Sequence, residues 1–235
     1  MRRLAVFVEG FTEVLFVEKL ISEVAGAHRV VIEKRRISGG VLKPRQITVI
    51  EAAGPVDDQE FYILLYDCGG DHQVKPRIVE EHKSLTAAGY EKIIGLRDVR
   101  PHTAYNDIPL LERNLRAGIE TTLTPVDFVL AVMEIEAWFL AECTHFPKID
   151  PSITVAEIVA KLGFNPEVED MALRLTPTED LAKSYQIGGK TYAKPAQDTV
   201  ACLDYSLLYL ELTKKIPHLK NLVTSLDSFL TPLPS

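Results

Sequence analysis

The sequence predicts an α/β fold: a largely parallel sheet flanked by helices, followed by a C-terminal helical appendage. Three observations carry this expectation. Short runs rich in Val, Ile and Phe alternate with amphipathic, helix-length segments through about residue 145. Several of those runs are apolar on both faces, as strands covered by helices on either side must be. Beyond about Pro147 the strand-like runs cease and helical periodicity takes over.

The elements follow in order. Residues 4–8 (LAVFV) read as a strand buried on both faces, stopped by Glu9 and Gly10. Thr12 is placed to cap a helix with apolar positions Leu15, Phe16, Leu20 and Val24, ending near Gly26. Residues 29–32 and 46–50 are β-branched runs bounded by Gly39, Gly40, Gly54 and Pro55, hence strands. Residues 61–66 form another apolar run, ending in DCGGD at 67–71. A helix over 74–88 closes at Gly89, a strand over 92–96 ends in RDVRP, and a helix spans 108–119. A strand over 128–133 then leads into EIEAW at 134–138. In the remainder, 155–162, 168–175, 178–185, 198–215 and 216–230 read as helices, the last interrupted near Pro217. The expected division is therefore 1–146 for the α/β domain and 147–235 for a helical subdomain packed on it.

Composition narrows the function. A charged fraction of 25% and an apolar fraction of 46% over 235 residues are those of an ordinary globular protein. The net charge of −7 argues against a general electrostatic grip on nucleic acid, so such binding needs a local patch, a metal or a partner. Cys68, Cys143 and Cys202 are odd in number, far apart and in no zinc spacing, which suits buried thiols in a reducing compartment. Arg2 and Arg3 precede an apolar stretch, but Glu9 and Glu13 interrupt it before a signal-peptide core can form. No stretch reaches the ~18 apolar residues of a membrane helix. A cytoplasmic protein without membrane contact is expected.

Four strand ends deliver acids: Glu9 with Glu13, Asp67 with Asp71, Asp98 alone, and Glu134 with Glu136. Adjacent strands lie about 5 Å apart, so carboxylates at their ends converge where open α/β sheets bind ligands. Close carboxylates repel unless protonated or bridged by a cation, and oxygen-only donors favour Mg²⁺ or Mn²⁺. Each acid alone has a plainer explanation, because loops are polar and Glu13 and Asp71 suit helix N-termini. Recurrence at one edge of the sheet is what favours function.

The stretch VEGFTE, residues 8–13, resembles the first motif of Toprim domains, where a strand ends in Glu-Gly and a second acid opens the next helix. VMEIEAWFLAE, residues 132–142, is similar to the strand exit of small Toprim-like proteins of the OLD and RloB kind, encoded beside ATPases in bacterial defence clusters. The likeness covers about residues 1–145. It implies a Toprim/Rossmann-like sheet, a Mg²⁺ or Mn²⁺ cofactor, and phosphodiester hydrolysis on DNA or RNA by a nuclease subunit serving a separate ATPase. Carried over residue by residue, it makes Glu9, Glu13 and Asp98 catalytic, with Glu9, Asp98, Glu134, Glu136 and Asp67 as candidate metal ligands. Asp98 is preferred to Asp67 because a helix and then EIEAW follow it. The family's Asp-x-Asp is incomplete: Arg100 stands where the second Asp is expected, and Asp67 and Asp71 are too widely spaced.

Other candidates carry their own alternatives. Arg97 and Arg100 are placed to hold a phosphate by bidentate bonds, or simply to pair with neighbouring acids. His72 and His102 follow strand ends, as general acid/base groups or as ordinary loop histidines. Trp138 reads as core. KSYQIGGKTYAKP, residues 183–195, is the one locally basic segment; Lys190 and Lys194 there suit nucleic-acid contact, or the segment is a polar loop. Its GGKT lacks the upstream spacing of a phosphate-binding loop, so ATP hydrolysis belongs to a partner. Two further readings stand beside the nuclease: a non-catalytic Toprim-like binding module, and, more weakly, a receiver-like domain with Asp67 as phosphate acceptor. A homo-oligomer is compatible with all three.

Overall fold

The computed structural model describes residues 1–40, 43–70, 72–100 and 103–231. Asp71 and His102 lie outside the described residues. The strands are β1 (Arg2–Val8), β2 (Val30–Ser38), β3 (Gln46–Glu51), β4 (Phe61–Asp67), β5 (Lys92–Asp98) and β6 (Val126–Ala131). They form one sheet in the order β3-β2-β4-β1-β5-β6, parallel throughout except for the β2–β3 pair. The helices of the first part are α1 (Phe11–Ala25), α2 (Val74–Ala87), α3 (Ile108–Arg116) and α4 (Glu136–Ala141). Then follow α5 (Phe146–Ile149), α6 (Val155–Leu162), α7 (Pro177–Gln186), α8 (Gln197–Cys202), α9 (Tyr205–Leu207), α10 (Thr213–Lys215) and α11 (Pro217–Leu230). The result is a mixed, mostly parallel sheet flanked by helices, with a helical C-terminal region.

The alternation of side chains along β1 builds both layers. Leu4, Val6 and Val8 face α1 and the C-terminal helices, while Ala5 and Phe7 face α2. All five are fully buried, which explains the unbroken apolar run. Phe16 of α1 packs against Trp138 and Phe139 of α4, ring centroids 5.9 and 5.5 Å apart, and ties the first helix to the last strand's exit. In β5, Gly95 is required by packing: a Cβ there would lie 2.7 Å from Ile78 Cδ1 and 3.0 Å from Phe128 Cδ1. One apolar cluster runs from β1 and α1 through α11, so the C-terminal helices share the sheet's core.

Topology places the site. The chain leaves β1 through α1 on one face, and leaves β4 and β5 through α2 and α3 on the other. Since β1 lies between β4 and β5, the connections diverge on both sides of its carboxyl end, and the crevice there is the ligand position of such sheets.

Three expectations need correction. The helix expected over 168–175 is only a single 3-10 turn, Met171–Leu173. Asn165 Oδ1 accepts from Glu167 N at 3.0 Å and Asp170 Oδ1 from Ala172 N at 2.9 Å, side-chain bonds that compete with helix formation. The helix expected over 198–215 breaks after Cys202, where Asp204 Oδ1 accepts from Leu207 N at 2.9 Å and caps a new start, followed by a π-helical turn at Leu208–Leu212. At α1 the cap position belongs to Gly10; Thr12 Oγ1 instead accepts from Ala196 N at 3.0 Å, joining α1 to the C-terminal region. Among the described residues no helix is long and apolar enough to cross a membrane.

Candidate functional site

At the carboxyl edge a cavity of about 380 Å³ is lined by Glu9, Glu13, Asp67, Asp98, Lys194 and the backbone around Gly69 and Gly70, with Phe11 at its side. Three adjacent strands and the start of α1 supply these groups. Glu9 follows the last residue of β1; Asp67 ends β4 and Asp98 ends β5. Glu13 sits in the first turn of α1, buried, because the helix begins directly at the strand exit.

Asp98 is locked in place by the turn after β6. Met133 adopts φ 62°, a conformation costly for a residue with a side chain, and this reversal aims Ile135 N at Asp98 Oδ1, 3.0 Å away. The turn also delivers Glu136 into the core with 0% exposure. Glu136 Oε1 accepts from Tyr192 Oη at 2.6 Å and pairs with Lys194 Nζ at 2.7 Å. Its Oε2 is buried with no hydrogen-bond partner among the described residues.

The electrostatics follow from crowding. Burial, then Glu13, Glu9 and Glu136, hold the Asp98 carboxyl well above the ordinary carboxylate range, against the opposing pull of Lys194. Burial, aided by the charge of Glu136, pushes Glu13 up to about 7. Burial alone would depress the Lys194 ammonium, but Glu136, Glu13 and Asp98 outweigh it and hold it up at about 12. Lys194 is therefore the charge that balances the cluster.

A second cationic group lies on the other face of β5. Arg97 Nε stands 3.7 Å from Glu9 Oε1, and Arg97 Nη2 donates to His72 Nδ1 at 2.9 Å. Because a guanidinium only donates, His72 Nδ1 is an acceptor here. Asp67 is held by Arg36 Nε at 2.7 Å and by Gly69 N at 3.0 Å, and Arg36 in turn lies 5.8 Å over the Phe11 ring.

The structure thus brings Glu9, Glu13, Asp98, Glu136 and Lys194 together, with Asp67 on the same cavity but already paired. Arg97 reaches Glu9 from the other face of β5, whereas Glu134, Arg100 and Lys190 are engaged elsewhere. Glu134 Oε2 accepts from Thr178 N at 2.8 Å and caps α7. Arg100 donates to Leu175 O, fastening the β5 exit to the loop before α7. Lys190 pairs with Asp150 at 3.6 Å and lines a separate cavity with Tyr185 and Lys148. Sequence reasoning missed Arg36, and it read Tyr192 as part of a nucleic-acid-contacting segment and Thr12 as a helix cap, not as partners of Glu136 and Ala196. None of the three partnerships had a local signal: Arg36 lies in the polar stretch that hides the end of β2, and all three partners are remote in sequence.

The donor chemistry suits a hard divalent cation, being buried, oxygen-only and mutually repelling. The arrangement does not yet suit one: among the described residues no three His, Cys, Asp or Glu side chains are grouped to hold a metal, and Lys194 stands among the carboxylates.

No family model and no curated protein matches the chain. Among solved structures it is similar to a proposed cell surface hydrolase from Lactobacillus plantarum WCFS1, with 13% identity, 55% of this chain covered and a TM-score of 0.28. The overlap spans 52% of that protein, about half its length, a likeness at which neither fold nor activity transfers.

Proposed function

We propose that the chain is a Toprim-like, Mg²⁺- or Mn²⁺-dependent nuclease subunit that cleaves DNA or RNA and works with a separate ATPase in bacterial defence. The observation that supports it is the convergence of Glu9, Glu13 and Asp98 on one cavity at the divergence of the sheet's connections. Glu9 and Asp98 would hold a divalent cation there, which would supply polarisation of the phosphodiester and activation of water. Glu13, with its carboxyl near neutrality, is suited to hold and release a proton at working pH. Arg36, half exposed at the rim beside Phe11, is suited to grip a phosphate. The ATPase partner rests on the family resemblance and on the absence of a phosphate-binding loop from the sequence.

Two observations favour the second reading, a non-catalytic binding module of the same complex. Lys194 already neutralises Glu136, and Arg100 replaces the second acid of an Asp-x-Asp pair. Incubating plasmid DNA and RNA with Mn²⁺ and wild type, Glu9→Gln or Asp98→Asn protein, with and without the ATPase, separates the two. Cleavage by wild type alone or with partner, lost in both variants, supports the nuclease. Nucleic-acid binding without cleavage under every condition supports the module.

A further inference from the structure

The two edges of the sheet are finished differently. At the β6 edge Val129, Leu130 and Ala131 are buried, and Ser225 Oγ of α11 donates to Asp127 Oδ2 at 2.7 Å. At the β3 edge every residue of Gln46–Glu51 is exposed, Ile47 at 41% and Val49 at 52%. Alternate residues of β3 turn their N–H and C=O away from β2, so this edge presents a row of main-chain donors and acceptors. Native edges are blunted by Pro, by Lys or by bulges, and QITVIE holds neither of those residues. Its one irregularity, the register shift at Ile50, leaves Gln46–Val49 regular. We infer that β3 pairs antiparallel with β3 of a second copy of this chain about a two-fold axis, joining two six-stranded sheets into one.

Three features single out a second copy. The first is charge. Lys43 and Arg45 precede the strand and Glu51 ends it. Antiparallel pairing sets the basic end of one copy beside the acidic end of the other, whereas parallel pairing sets like ends together. Arg45 and Glu51 also have partners in their own chain, Glu80 at 3.2 Å and Lys34 at 2.6 Å, so this attraction sets orientation more than strength.

The second is register. Outward-facing residues of one antiparallel strand must meet outward-facing residues of the other, so a two-fold passes through a residue and not between two. With the axis at Thr48, Ile47 of each copy lies opposite Val49 of the other, and Thr48 lies opposite Thr48. An axis at Val49 sets Glu51 against Ile47 and loses that match. The third is the face used. Ile47 and Val49 are paired with Ile37 and Arg35 of β2, which places them on the α2 side of the sheet with buried Ile37. A two-fold normal to the sheet keeps that side common to both copies. The exposed Ile47 and Val49 side chains then form one apolar strip bounded by Ile37 at each end.

The contact is small. A strand pair offers less than the ~800 Å² per partner of a standard interface, so the dimer forms at micromolar and not nanomolar concentration. The carboxyl ends of the two sheets, with their cavities, point in opposite directions. Because β2 lies between the contact and β4, neither cavity is covered, and the inference does not depend on their chemistry.

The test is sedimentation velocity of the full chain from micromolar to several hundred micromolar. Wild type should convert from monomer to dimer by mass action. Val49→Lys should weaken the dimer about tenfold or more, because the two-fold repeats each lost contact, while the melting temperature of dilute protein stays unchanged. In parallel, Thr48→Cys protein under mild oxidation should form a disulfide between the two copies at position 48, mapped by mass spectrometry, and Gln46→Cys protein should form far less. This arm decides even if Val49→Lys does not fold. A wild type that stays monomeric throughout leaves the edge to a strand of some other chain and overturns the homodimer. So does a dimer that Val49→Lys leaves intact, or cross-linking at position 46 as ready as at 48.

Discussion

Lys194 Nζ lies 2.7 Å from Glu136 Oε1, joining a half-exposed lysine of the helical region to a fully buried acid at the exit of the last strand. The helical region therefore contributes a wall to the candidate site and is not a separate appendage to it. Tyr192 reinforces the same acid at 2.6 Å. Tyr192→Phe removes a bond to a buried charged group and should lower stability by about 1.5–3 kcal/mol. Urea denaturation measures it; an unchanged midpoint would mean that Tyr192 does not hold the wall.

Stability should fall as pH rises through the acidic range towards neutrality. Glu13 rises from its ordinary 4.5 to about 7 on folding, so between those values the folded chain binds more protons than the unfolded one. Stability from this group is complete below about 4.5 and is lost as pH approaches 7. Asp98, also raised, adds a loss of the same sign. Glu13→Gln should flatten the slope over pH 5–7 in EDTA, measured by melting temperature; a slope identical to wild type would refute the crowded-carboxylate account.

Asp67 should behave differently from Asp98. It is already satisfied by Arg36 and by Gly69 N, and Arg36 is half exposed, so the pair is partly screened. Asp67→Asn is expected to leave Mn²⁺ affinity within about twofold of wild type and to cost at most about 1 kcal/mol of stability. A loss of Mn²⁺ binding as large as that of Asp98→Asn would move Asp67 into the metal-binding set.

The fold's central strut is Phe16, buried between α4 and the sheet. Phe16→Ala should destabilise the protein by about 3–5 kcal/mol through lost contact and a residual cavity. A loss below about 1 kcal/mol, measured by denaturation, would mean that the site's framework does not depend on this contact.

How much of this was legible depends on the range of the interactions. The apolar run at β1 and its stop at Glu9 needed only local pattern, because a strand buried on both faces leaves no polar positions. The end of β2 did not show, since its Glu33, Lys34, Arg35 and Arg36 are polar and are stabilised in the strand by Tyr62, Glu18, Glu51 and Asp67 across the sheet and α1. Helix breaks at Asn165, Asp170 and Asp204 are side-chain caps that periodicity overlooks. Within the site, Glu9, Glu13, Asp98 and Glu136 were readable as acids at strand ends. The separate duty of Glu134, two residues from Glu136, was not readable, because it is fixed by the turn at Met133 and by the position of α7.

The most direct measurement is a set of thermal melts of wild type, Glu9→Gln and Asp98→Asn, each in EDTA and in Mn²⁺. Glu9 and Asp98 share a buried cluster of like charge, so neutralising either should leave stability in EDTA unchanged or raised. Mn²⁺ should raise the melting temperature of wild type and leave both variants nearly unmoved. Equal stabilisation of all three proteins by Mn²⁺, or a loss of stability in EDTA with wild-type metal response, would contradict the claim that these acids form a divalent-cation site.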